Sequence, residues 1–413
     1  MKKILSASLL GSSHRNSAAW KLRNQNNGRQ ARIVCVGISA LLASMWLASP
    51  SLAASYVQHN LVSDIPGMAD FTDPDLINPW GIAFGPTTPF WISDNHTGLS
   101  TLYSGTGVKQ ALVVTIPPPL GGTPPGAPTG VVFNSGASAG TFLGDRFIFA
   151  TEGGTINGWQ PSVGTTAVPR VDNSPSSAVY KGLAIAASSL YAANFHSAAI
   201  DVFDANYTPV VLPGGFLDPT LPVGYAPFNI QEINGTLFVT YALQDAAKQD
   251  DVPGAGHGFI DEFSTSGVLI RRFASMGPLN SPWGLALAPA SFGSFGGDLL
   301  VGNFGDGHIN AYDLTTGAFV GSLTDASNNP ITIPGLWGLR FGNNGLGFDT
   351  NKLYFTAGIP GGPGGQLEEH GLFGSISAGV PDSGATLILL IVGLAGLLAF
   401  DRAMRWLGRA SAA

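Results

Sequence analysis

From about residue 55 onward the chain alternates short apolar runs with breaks rich in Gly, Pro, Asn and Asp. Six of the runs open alike: Asn78-Pro79-Trp80-Gly81, Ala127-Pro128-Thr129-Gly130, Tyr180-Lys181-Gly182, Ala226-Pro227-Phe228-Asn229, Ser281-Pro282-Trp283-Gly284 and Gly335-Leu336-Trp337-Gly338. The openings follow one another at intervals of roughly 50 residues, room for one four-stranded sheet each.

Each interval divides in the same way. An inner strand follows the opening, at 81–84, 130–133, 182–185, 229–232, 284–287 and 338–341. Second strands are expected at 90–93, 146–150, 190–193, 237–241, 298–302 and 352–356. Third strands at 155–159, 199–203, 259–263 and 308–312 show the period-two alternation of a half-buried strand. Outer strands are less regular, as at 112–116, 269–273 and 319–323. The sixth unit has no outer strand of its own after 372–377, and residues 56–62 offer one, which would close a ring and remove an exposed sheet edge. The pattern predicts an all-β, six-bladed β-propeller over residues 55–379, in preference to a seven-bladed ring or a parallel solenoid.

The ends have a different character. Residues 1–54 contain no Asp or Glu, carry seven Lys and Arg, and end in an apolar run (33–48) before Ser49-Pro50-Ser51-Leu52-Ala53-Ala54. That order predicts a secretory signal peptide, cut by signal peptidase after Ala53 or Ala54; an N-terminal membrane anchor is the alternative. Cys35, the only cysteine, would be lost with it, leaving no disulfide or thiol chemistry. At the other end, Val380-Pro381-Asp382-Ser383-Gly384 precedes an uncharged stretch at 385–400 and then Arg402, Arg405 and Arg409. The stretch reads as a marginal transmembrane helix with a cytoplasmic basic end. A short motif, an apolar helix and a basic end resemble the exosortase sorting tails of Gram-negative bacteria, in the variant beginning Val-Pro-Asp-Ser-Gly. The resemblance implies an exosortase partner at the inner membrane, cleavage near 381–384, and delivery to the cell surface or matrix; a permanent single-span anchor is the alternative.

Removing both ends leaves nine Lys and Arg against 24 Asp and Glu. So acidic a domain disfavours nucleic acid and anionic lipid as partners and suits solubility or cation binding. No P-loop, no dinucleotide fingerprint after a strand and no His-Glu-x-x-His is present.

In a propeller the loops from second to third strand share one face with the starts of the inner strands. That face collects Asp94, Asn95, His96, Glu152, Asn194, His196, Asp245, Asp250, Asp251, His257, Asn303, Asp306, His308, Glu368, Glu369 and His370, together with Trp80, Lys181, Trp283 and Trp337. Glu152, Asn194, Asn303 and Asp94 are oxygen ligands for a hard ion such as Ca²⁺, or else ordinary turn residues. In residue type and placement they resemble the site of calcium-dependent propeller lactonases, without a signature segment of that family. His196 and His96 are candidates for acid–base work, with Lys181 beside them; His257, His308 and Asn95 are candidates for ligand contact. Lyases that act on a cyclic-peptide antibiotic also use histidines on a propeller face, though no local motif matches them. The tryptophans either pack between blades or stack on a ligand. Lys181, the one charged residue at an inner-strand start, has Glu152 as a possible ion-pair partner.

Taken whole, the chain resembles a family of secreted bacterial propellers with exosortase-type tails. The segments that carry this are Leu61-Val62-Ser63-Asp64, Asn78-Pro79-Trp80-Gly81-Ile82, Trp91-Ile92-Ser93-Asp94-Asn95, Ala193-Asn194-Phe195, Ser281-Pro282-Trp283-Gly284 and Val301-Gly302-Asn303-Phe304. The expected function is binding of a small or polymeric ligand, such as a polysaccharide, at the channel mouth, with Ca²⁺ as a possible cofactor. A metal-dependent hydrolase or lyase, and a purely structural matrix scaffold, are the alternatives.

Overall fold

A computed structural model of the chain describes residues 55–379, apart from 187, 346–347 and 363, and scattered helical positions between 393 and 405. The expected signal peptide and sorting tail fall outside those residues except for the scattered positions. Among the described residues no helix is long and apolar enough to cross a membrane.

Six sheets, antiparallel except where Phe71–Thr72 pairs parallel with Val62–Ser63, form a six-bladed β-propeller that is nearly all strand, with only short 3-10 turns as helix. The inner strands are Pro79–Ala83, Pro128–Phe133, Tyr180–Ala186, Tyr225–Ile233, Pro282–Leu287 and Leu336–Phe341, each at one edge of its sheet. Blade six is completed by the N-terminal strand: Tyr56–Ser63 pairs antiparallel with His370–Ala378, from Tyr56 opposite Ala378 to Ser63 opposite Leu372. Closure therefore joins the two ends of the domain. Blade three departs from the pattern with three strands, because the chain leaves the sheet after the Phe203–Pro209 bridge and packs Phe216 against blade four.

The repeated openings have a clear physical role. In all six blades the pairing of inner and second strands shifts register at the opening, as between Pro79 and Ile82 or Pro282 and Gly284. There the next blade's backbone comes so close that a side chain has no room. A Cβ at Gly81 would lie 2.4 Å from the Thr129 carbonyl oxygen, and one at Gly284 2.5 Å from that of Trp337. Blade four carries Asn229 instead of glycine, and its Nδ2 donates to the Trp283 carbonyl at 2.7 Å. Six apolar clusters fill the spaces between and within blades, and a seventh sits on the axis. That axial cluster holds Trp80, Phe195, Phe228, Trp283, Phe304 and Trp337.

Candidate functional site at the channel mouth

The axial aromatics form a floor. Trp80 stacks on Trp337 with centroids 3.5 Å apart, Phe304 stacks on the same ring at 4.2 Å, and Trp283 meets Trp80 edge-on at 6.2 Å. Trp80, Trp283 and Trp337 are only 2%, 4% and 1% exposed, so they offer no open face for stacking a ligand. Two of their polar edges are tied upward and sideways: Trp337 Nε1 donates to Asn78 Oδ1 at 3.2 Å and Trp283 Nε1 to the Lys181 carbonyl at 3.3 Å, while Trp80 Nε1 finds no partner among the described residues.

Above this floor runs a chain of polar side chains drawn from blades six, one, two, three and four. Asn78 Nδ2 donates to Glu368 Oε1 at 2.9 Å and lies 3.5 Å from Asn95 Oδ1. Asn95 Nδ2 donates to Glu152 Oε2 at 3.0 Å, and Lys181 Nζ donates to Glu152 Oε1 at 2.5 Å and to Asp250 Oδ1 at 3.1 Å. The Lys181 ammonium also sits 5.0 Å from the Trp80 ring centre, a cation–π distance. Asn78 holds its place with φ +49°, a left-handed conformation that Asn tolerates better than most residues.

Charge and burial set the protonation of the group. Burial opposes ionisation of Glu152, but the Lys181 ammonium and the Asn95 amide overcome it and hold this carboxyl below the usual range. Burial likewise works against the Lys181 charge, and Glu152 and Asp250 more than compensate, raising its pKa. Glu368 goes the other way: burial, reinforced by the charge of Glu152, pushes its carboxyl up to about 7. Burial also pushes Asp251 up to about 6, with Ser281 and Lys181 pulling against it. Burial lowers the pKa of the His96 imidazole, partly countered by Glu152.

Of the four residues considered as metal ligands, Glu152 alone joins this network. Asp94 is fully buried within blade one, where Oδ2 accepts the Thr101 N–H at 2.9 Å and burial raises its pKa well above the usual value. Asn194 donates to Asp201 at 2.9 Å inside blade three, and Asn303 donates to the Pro278 carbonyl at 2.8 Å and to Asp306 at 3.1 Å in blade five. All three stand at the ends of second strands and serve their own hairpins. Among the described residues no group of three or more His, Cys, Asp and Glu is placed to hold a metal ion.

The histidines share the face without converging. His257 Nδ1 donates to the Val252 carbonyl at 2.8 Å, His370 Nδ1 lies 2.6 Å from Asp64, and His308 Nδ1 is 3.8 Å from Asp306. The carbonyl of His196 accepts from Gln244 at 3.4 Å. Only His96 acts on Glu152.

Sequence reasoning places Asp250, Asp251 and Glu368 on the loops of this face without making them site candidates, and it does not single out Asn78. Position next to Trp80 was the available signal for Asn78, and the acidic pair in the long fourth-blade loop for the aspartates. Conversely, Gly136-Ala137-Ser138-Ala139-Gly140 has the spacing of a nucleophile elbow. It forms an exposed 3-10 turn that links first and second strands of blade two, at the end of the blade away from the mouth.

Comparison with known proteins places the chain. Acanthamoeba polyphaga mimivirus protein R648, described as uncharacterized, is 36% identical over 332 residues, covering 76% of this chain and 78% of that protein. Protein L690 of the same virus, likewise uncharacterized, is 35% identical over 319 residues, covering 74% and 82%. The chain belongs to the family of R648 and L690. Residues 379–403 match the VPDSG-CTERM motif, a sorting motif that marks an exported protein. Among solved structures, a protein of unknown function from Bacteroides thetaiotaomicron has a TM-score of 0.50 at 11% identity, covering 78% of this chain and 77% of that one. This last likeness is one of fold.

Proposed function

We propose that this protein is an exported propeller that binds an extracellular glycan, rich in hydroxyl and amine donors, at the channel mouth. The observation that carries the reading is the polar chain from Glu368 through Asn78, Asn95 and Glu152 to Lys181 and Asp250, assembled from five blades over an apolar floor. Its carboxylates outnumber its single ammonium, so acceptors are in excess, and sugar hydroxyls and amino groups are donors. Asp250 and Glu152 keep side-chain exposures of 67% and 18%, so part of the chain is open to a ligand. A bound Ca²⁺ is not part of this proposal, because the oxygen ligands expected for it do not converge.

Export completes the proposal: a signal peptide cut near 53–54, an exosortase-type enzyme acting near 381–384 while the apolar tail holds the inner membrane, and delivery to the cell surface or matrix. The VPDSG-CTERM match supports it. A glycan array probed with the wild-type protein beside Glu152→Gln and Asp250→Asn tests the binding reading. Each variant is expected to bind its glycans roughly tenfold more weakly, about 1.4 kcal/mol, as a lost hydrogen bond to a charged group does. An array on which wild type and variants are equally silent, or equally bright, would sink it.

A further inference from the structure

The opposite end of the channel carries a different chemistry. Beneath the aromatic floor lies a cavity of about 280 Å³, bounded by the inner strands of all six blades. Each of those strands stands at the edge of its sheet, so the N–H and C=O groups of its free edge have no strand partner and turn to the channel. The cavity wall therefore offers backbone donors and acceptors on every side.

One charged side chain breaks the sixfold pattern. Two residues past the opening glycine, or its Asn229 replacement, the blades carry Ala83, Val132, Ala184, Gln231, Ala286 and Arg340. Arg340 lines the cavity, its guanidinium 5.3 Å from the Phe84 ring centre. Among the described residues it makes no hydrogen bond and no ion pair. The carboxylate whose charge acts on it is Glu232, on blade four across the channel, beyond contact distance and already accepting the Gly235 N–H. Its side chain is partly exposed at the cavity wall, and an arginine so placed keeps its charge and favours an anionic partner. Among the described residues none supplies that partner.

We propose that this end of the channel is a binding site for a small hydrophilic oxyanion, whose carboxylate or phosphate group takes the Arg340 guanidinium while its other oxygens meet the free strand edges. The planar fork of arginine suits two oxygens of such a group. Glu232 at the rim opposes anions and so limits affinity. This site is separate from the mouth and does not depend on glycan binding there.

Calorimetric titration of the purified protein with citrate and with inorganic phosphate, at constant ionic strength in chloride, tests the proposal and separates the two sources. Wild type is expected to bind at least one of them, Arg340→Gln at least about tenfold more weakly, and Glu232→Gln about twofold or more tightly. Binding of neither anion by wild type, or equal binding by Arg340→Gln, would overturn it. Thermal unfolding in chloride alone guards against a folding defect: Arg340→Gln should melt at or above wild type, since an unpaired charge leaves the channel. A clearly lower melting temperature would assign the guanidinium a structural role and also overturn the proposal.

Discussion

The second strand of blade two, Phe147–Thr151, has an acid just beyond each end, and the two acids live differently. Asp145, before the strand, is fully buried and saturated: Arg170 donates to both its oxygens at 2.7 Å, and the Tyr207 hydroxyl of blade three adds a third bond at 2.7 Å. Even the space beside it is used, for a Cβ at Gly158 would fall 1.8 Å from its Oδ2. Glu152, after the strand, has an ammonium on one oxygen and an amide on the other, but its side chain keeps 18% exposure and its partners reach on to Asp250 and Asn78. A closed ion pair ties the second and outer strands of blade two, with Tyr207 bonded to it from blade three; an open one leaves lone pairs for something else. The same residue class thus does structural work at one end of a strand and builds a binding surface at the other.

The largest test of that contrast is Asp145→Ala. Arg170 cannot neutralise itself, so the variant should lose roughly 3–5 kcal/mol of unfolding free energy in urea while whatever binds at the mouth still binds. A loss below about 1 kcal/mol would mean that the pair is not the tie described.

Lys181→Met should cost less, about 2 kcal/mol, because the Glu152 left behind can take up a proton. The signature is in pH: with its cation gone, Glu152 has a raised carboxyl, so the deficit should shrink as pH falls from 7 to 5. A deficit independent of pH would break the assignment of Glu152 as the partner that matters.

The smallest effect concerns Glu368. Its folded pKa of about 7 lies above the 4.5 of a free carboxyl, so its contribution is fully present below pH 4.5 and is lost as pH rises through 7. Relative to the neutral Glu368→Gln, wild type should therefore lose stability between pH 5 and pH 8, by on the order of 1 kcal/mol after allowance for its partial exposure. Parallel pH profiles for the two proteins would show that Glu368 is not held in the network.

Much of the architecture was legible because it rests on local rules repeated six times. A glycine behind an aromatic or proline, a period-two strand and a turn recur at one spacing, and each has a backbone reason: close approach of the next blade, a half-buried face, a reversal. The closure of blade six by residues 56–62 followed from counting strands and asking what would cover the open edge. The three-stranded blade three did not follow, since the departure of the chain after Pro209 depends on where Phe216 finds its pocket. The Lys181–Glu152 pair was within reach, because a lone cation at a strand start needs an anion and the neighbouring loop supplies one.

The rest of the site was not. Asp94, Asn194, Asn303 and Glu152 all stand at or just past the end of a second strand and look equivalent along the chain, yet three turn into their own hairpins and one reaches the axis. Trp80, Trp283 and Trp337 look like a stacking platform and are the covered floor beneath it. Period, patterning and glycine placement are properties of neighbouring residues, so the chain alone fixes six blades and their common face. Which side chains meet across blades some fifty residues apart depends on register shifts of a single residue and on the packing beneath them. Those are settled only when the ring closes, and with them the two unlike ends of its channel.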